Sequence, residues 1–144
     1  MEVISSAFKT GEAIPKKYTC DDMDISPPLT FKDIPKGAIS LALIADDPDA
    51  PGGIWVHWLV WNIDPSVNEI SQGEEVRGIK GRNDFGRLTY GGPCPPRGTH
   101  RYYFKLYALD KQLDLKKGST KKDLVKAMEG HIIEEAQLMG IYTR

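Results

Sequence analysis

YGGPCPPRGTHRYYFKLYAL, residues 90–109, joins two halves with different physics. In the first half Pro93, Pro95 and Pro96 lack backbone donors and fix φ, while Gly91, Gly92 and Gly98 permit positive φ. Such a segment is a rigid loop that holds a recess open at a sheet edge. From His100 onward the residues alternate. His100, Tyr102, Phe104 and Leu106 share one face of a strand, and Arg101, Tyr103, Lys105 and Tyr107 share the other. A polar, titratable pair thus enters at the rigid end of a face that becomes wholly apolar, which is how a small-ligand pocket is built.

Working outward, the front half is punctuated by Pro15, Pro27, Pro28, Pro35, Pro48, Pro51 and Pro65, with apolar runs of strand length between them. Ile39 to Ala45 (ISLALIA) is continuously apolar, as expected of a strand covered on both sides. Trp55 to Ile63 (WVHWLVWNI) is apolar at odd and even positions alike and rich in aromatic and β-branched residues, so both its faces are predicted to be buried in a central strand. This alternation puts His57 on the face of Trp55 and Leu59. Only one long helical pattern occurs. Ser119 or Thr120 caps it, Asp123 sits near its positive end, and Leu124, Val125, Met128, Ile132, Ala136 and Met139 form one apolar stripe that Gly140 closes. Gly130 weakens its middle by about 1 kcal/mol relative to alanine. A short strand, Ile141 to Thr143, follows. Many strands in turn-rich sequence with one late helix predict a mostly β chain, a β-sandwich of Greek-key type.

A chain of 144 residues is read as one domain, large enough to bury a core without staples. Nineteen basic against twenty acidic residues leave no net field, and no basic run exceeds Lys121-Lys122, which argues against nucleic acid as a partner. No window approaches a membrane span and no leader pattern opens the chain, so a cytoplasmic location is expected. Cys20 and Cys94 are not spaced as a zinc or redox pair. Two free thiols are expected in a reducing compartment, a bridge being open if their loops meet.

Candidate chemistry gathers around DPDAP, residues 47–51. Asp47 and Asp49 would project the same way from extended backbone, about 6.6–7 Å apart along the chain. The pair suits metal ligation, acid–base work or turn capping. With His57, His100 and Tyr102 it forms a polar cluster beside proline-glycine loops. His131, one position off the helical stripe, is read as a boundary residue. A metal site lacks a third or fourth ligand at the usual spacing, and no serine or cysteine stands in an elbow motif. Anion binding fits best, because imidazoles and a phenol donate to phosphate or sulfate while an aspartate orients a histidine and favours its cationic form.

DPDAP, WVHWLVWN and YGGPCPPRGTHRYYFKLYALD, joined by DISPPL (24–29), GRNDFG (81–86) and AMEGHI (127–132), resemble the phosphatidylethanolamine-binding protein family, which includes the Raf kinase inhibitor protein, in its short prokaryotic branch. The resemblance spans nearly the whole chain. It implies a sandwich of two antiparallel sheets with an anion pocket at one end, formed by Asp47, Asp49, Pro51, His57, Pro96, His100 and Tyr102, with a cis bond before Pro51. Only Gly52, Gly53 and Ile54 separate DPDAP from Trp55, where animal members carry an insertion, and the C-terminal segment that lies near the pocket in animal proteins is lacking. Kinase surfaces assigned to those regions therefore do not carry over. The resulting expectation is a binding or regulatory module for a small anion or phosphorylated ligand, such as phosphate or phosphoethanolamine, needing no cofactor or metal. Inhibition of a serine protease or kinase through a protein interface is the first alternative, and a hydrolase using the Asp/His cluster the second.

Overall fold

Residues Ser40–Asp47 form a strand, β3, in which all eight residues are buried. It lies at the centre of a five-stranded antiparallel sheet. β4 (Trp55–Ile63) and β6 (Ile79–Lys80) stand on one side of it, β7 (Thr99–Leu109) and β8 (Ile132–Thr143) on the other. A three-stranded antiparallel sheet, β1 (Glu2–Ile4), β2 (Leu29–Lys32) and β5 (Glu69–Ile70), covers one face, and helix α1 (Lys121–Met128) covers the other. This computed structural model describes residues 1–144. The alternation of β3 divides its side chains between two cores. Leu41, Leu43 and Ala45 join the intersheet core with Phe31, Phe104 and Leu106, whereas Ala42 and Ile44 meet Leu124 and Met128 of the helix. Full burial of such side chains contributes about 1.5–3 kcal/mol each. No helix is long and apolar enough to cross a membrane.

Strand β4 has the predicted span and two buried faces, but its alternation breaks. Ala45 pairs with Trp58 and the next residue, Asp46, pairs with Val56, leaving His57 as the extra residue of a β-bulge. Leu59 and Trp61 face the helix while Trp58 faces the intersheet core. The bulge turns His57 away from Leu59's face and toward Tyr102 of β7, with ring centroids 5.3 Å apart.

The helix and the final strand both form, with their boundary ten residues earlier than the apolar stripe suggests. Thr120 caps α1, accepting from Asp123 N while Asp123 Oδ2 accepts from Thr120 N at 3.0 Å. The chain then turns at Gly130, whose φ of +79° ends the helix, and β8 pairs along β7 from Ile132 to Thr143. Ile132 and Ala136, one helical turn apart, are also an even number apart, so their spacing suits a strand face equally. Gly140 closes no helix. A Cβ there would lie 2.5 Å from Ile14 Cγ1 and 2.7 Å from a Phe8 ring carbon, so glycine is required for close packing.

Two further expectations are corrected. Cys20 and Cys94 are disulfide-bonded, not free, their Cα atoms 5.4 Å apart. The loops meet because Cys20 N donates to Pro93 O at 3.1 Å and Tyr90 OH donates to Tyr18 O at 2.8 Å. No cis peptide bond occurs, and so none before Pro51. Ala50 O accepts from Gly53 N at 3.1 Å, and a trans proline at the second position suits such a turn.

Candidate functional site

A pocket of about 260 Å³ opens where the β3–β4 turn, the start of β4 and the loop before β7 converge. Asp47, Pro51, His57, Pro96, His100 and Tyr102 line it, six of the seven residues expected there. Asp47 ends β3, His57 is the bulge of β4, and His100 and Tyr102 open β7 on the face that continues into the intersheet core through Phe104.

Asp47 is buried and serves two partners. Its Oδ2 accepts from His100 Nδ1 at 2.7 Å, and its Oδ1 accepts from Asp49 N at 2.7 Å. The carboxylate therefore orients a histidine and caps a turn at once. That cap folds the chain back, so Asp49 does not point alongside Asp47 and is not part of the pocket lining. Asp49 instead takes a bidentate pair from Arg101 (Nε 2.9 Å, Nη2 2.8 Å) and a third bond from Arg101 N at 2.9 Å. The guanidinium bonds hold its pKa down to about 2. Its neighbour Asp46 points to the helix side, where it is buried between Lys105 Nζ at 3.2 Å and Lys121 Nζ at 2.8 Å.

His57 is held by backbone. Its Nδ1 contacts Gly91 O at 2.6 Å, while Gly91 N donates to His57 O at 3.0 Å. Burial pushes its pKa below the ordinary histidine value, opposed by the bond to Gly91 and, more weakly, by Asp47. The Gly91 loop is itself anchored. Gly92 N donates to Asp24 Oδ1 at 2.7 Å, and a Cβ at Gly92 would fall 2.2 Å from Tyr18 O, so only glycine allows this approach. Tyr102 is also buried. Its hydroxyl has no hydrogen-bond partner, and burial raises its pKa so that it stays protonated. The nearby Asp24 of DISPPL and Asn83 of GRNDFG are thus scaffold. Asn83 Nδ2 donates to His57 O at 3.1 Å and to Thr89 O at 2.8 Å, and its Oδ1 accepts from Phe85 N and Arg87 N.

The remaining lining was not foreseen: Ala50, Trp55, Phe85, Cys94 and Pro95. Phe85 stands edge-on to both Trp55 (5.5 Å) and His57 (5.3 Å), with Arg87 over its ring. Its signal in the sequence was an aromatic inside a glycine- and asparagine-rich turn, where no local core needs one. A larger cleft of about 470 Å³, with Asp24, Glu74, Glu75, Lys80 and Arg87 in its walls, mixes both signs of charge and contains no histidine. His131 does not line the pocket and pairs with exposed Asp110 at 2.8 Å.

Comparison with known proteins places this geometry. The family described as phosphatidylethanolamine-binding protein matches residues 4–143. A UPF0098 protein of Pyrococcus abyssi is 51% identical, covering 100% of this chain and 86% of its own length. A UPF0098 protein of Chlamydia muridarum is 49% identical over 99% of this chain and 98% of its own. Among solved structures, a phosphatidylethanolamine-binding protein homologue from Chlamydia trachomatis superposes with a TM-score of 0.96 at 47% identity, covering 99% of this chain and 97% of that one. Escherichia coli YbcL superposes with a TM-score of 0.92 at 32% identity, covering 99% and 98%.

Proposed function

The chain belongs to the phosphatidylethanolamine-binding protein family, and from that membership and the pocket's geometry we propose that it binds a small anion or phosphorylated group and acts by binding. The observation that carries this reading is Tyr102. A buried hydroxyl without a partner costs about 1–3 kcal/mol, a cost removed when a ligand oxygen accepts from it. His100 supports the same reading. Its Nδ1 is committed to Asp47, so its cationic form has Nε2–H left to donate. Pro51, Pro95 and Pro96 stiffen the walls and reduce the reorganisation that binding requires.

Binding is favoured over covalent turnover by the lining itself, whose single cysteine is bonded to Cys20 and which contains no serine, threonine or lysine. Charge-assisted bonds contribute about 1.5–3 kcal/mol each, so two or three give micromolar to millimolar affinity once ligand immobilisation is subtracted. The test is a two-dimensional NMR titration with phosphate and phosphoethanolamine on wild type and His100→Ala. Shifts at Asp47, His57 and Tyr102 that vanish in the variant are expected. No shift at millimolar ligand would refute the reading.

A further inference from the structure

The larger cleft, of about 470 Å³, has two open polar atoms in its floor. Trp58 is only 4% exposed and lines the cleft, and its Nε1–H makes no hydrogen bond within the protein. Trp61 differs, since its Nε1 donates to Leu115 O at 3.2 Å. Ser26, also 4% exposed, lines the same cleft, and its Oγ has no partner either. Neither atom is sealed in, because the one buried side-chain atom cut off from solvent and from partners is Tyr102 OH. Both therefore face the opening they line. The floor is held in place. Trp58 packs edge-on to Tyr90 with centroids 5.4 Å apart, and Tyr90 OH is committed to Tyr18 O. Ser26 O accepts from Gly73 N at 2.9 Å, which fixes the neighbouring wall. An N–H and an O–H at the base of a preformed cleft call for a ligand oxygen.

The rim of the cleft carries charges of both signs that the protein leaves unpaired. The Arg87 guanidinium makes no hydrogen bond or ion pair and only lies over the Phe85 ring, 5.3 Å from its centroid. Glu75 has no partner, and Glu74 uses one oxygen to accept from Ser71 N at 3.0 Å. No ion pair joins Arg87 to either glutamate. Lys80 is already engaged, donating to Val76 O and Gly78 O, and Asp24 accepts from Gly92 N. A free cation and free carboxylates on one rim favour a ligand that carries both charges over a simple anion or cation. We propose that this cleft, which shares no lining residue with the pocket at Asp47, is a second ligand site and takes a free amino acid with an aliphatic side chain. The ligand carboxylate accepts from Trp58 Nε1 and Ser26 Oγ, with Arg87 as its counter-charge. The ammonium meets Glu75 and Glu74, and the side chain lies against Ile25 and Leu88.

The experiment is an NMR titration of the intact protein near neutral pH with L-leucine, N-acetyl-L-leucine and L-leucinamide, read at the three indole N–H signals. Millimolar L-leucine should move the Trp58 signal and leave that of Trp61, already bonded to Leu115 O, in place. Blocking the ammonium or the carboxylate should each weaken binding about three- to fivefold, as expected for losing one solvent-exposed ion pair. Arg87→Gln, at an exposed position, should weaken L-leucine to a similar degree and leave L-leucinamide within about twofold. Glu75→Gln, also exposed, should weaken L-leucine and spare N-acetyl-L-leucine. Equal affinity for all three probes overturns the inference, because the two charged ends would then go unread. A shift at Trp55, which lines the other pocket, in place of Trp58 also overturns it. So does a Trp58 signal that stays fixed at tens of millimolar L-leucine, and that result leaves the anion-binding reading standing.

Discussion

The pocket wall built on β4 and the wall built on β3 and β7 each present one histidine with a proton on Nδ1, and only the acceptor differs. On the β4 wall the acceptor is Gly91 O, a neutral carbonyl in a loop, and the ring is buried below its ordinary pKa. On the opposite wall it is the Asp47 carboxylate, fixed at the end of a fully buried strand. A neutral acceptor leaves an imidazole that accepts at Nε2. A charged acceptor leaves one whose cationic form is matched by a counter-charge. One residue type thus does two jobs in one pocket, and the acceptor beyond the ring decides which.

The comparison can be broken by unfastening either wall. The largest effect should come from Cys20→Ser with Cys94→Ser. The bridge closes a span of 74 residues, and its loss should lower stability by about 4 kcal/mol in urea unfolding. Because it ties down the loop carrying Gly91, NMR line broadening is expected at His57 and not at the Asp47–His100 pair. Uniform broadening would mean that the walls are not independent. Next, Asp47→Ala should cost about 3 kcal/mol, since it removes a buried acceptor from His100 and a turn cap from Asp49 N together. Unchanged stability would show that the His100 wall needs no carboxylate.

Acid sharpens the contrast at a smaller scale. His57 has a lower pKa folded than unfolded, so the unfolded chain binds the proton first as pH falls. The stability it contributes is fully present above the unfolded value of about 6.5 and is lost as pH falls through and below it, by at most about 1.4 kcal/mol per pH unit. The urea midpoint of wild type should therefore fall more between pH 7.5 and 5.5 than that of His57→Phe. Parallel curves would mean that His57 is not held neutral. The smallest effect belongs outside the pocket. Asp49→Ala breaks a surface pair with Arg101, should cost less than about 1 kcal/mol, and should leave phosphate affinity within about threefold. A larger loss of affinity would put Asp49 back among the ligand contacts.

Much of this was legible in the sequence where one period governs. β7 alternates as read, from His100 in the pocket to Leu106 in the core, and β4 spans the predicted residues. Reading failed where a period is interrupted or shared. His57 lines the pocket, yet alternation assigns it to Leu59's face, because a bulge leaves no mark on alternation. The helix was overrun past Gly130 because positions 132 and 136 satisfy a helix and a strand alike. Extended backbone would set Asp49 beside Asp47, whereas Asp47 Oδ1 caps a turn there. Phe85 and the Cys20–Cys94 bridge depend on loops that meet only in three dimensions.

The most direct measurement is nitrogen-15 NMR of the imidazole rings near pH 7, without and with saturating phosphate. The account predicts that His57 is the neutral Nδ1–H tautomer in both states and that the ring signals of His100 shift when phosphate binds. A doubly protonated His57 in the complex, or a His100 that does not respond to phosphate, would contradict it.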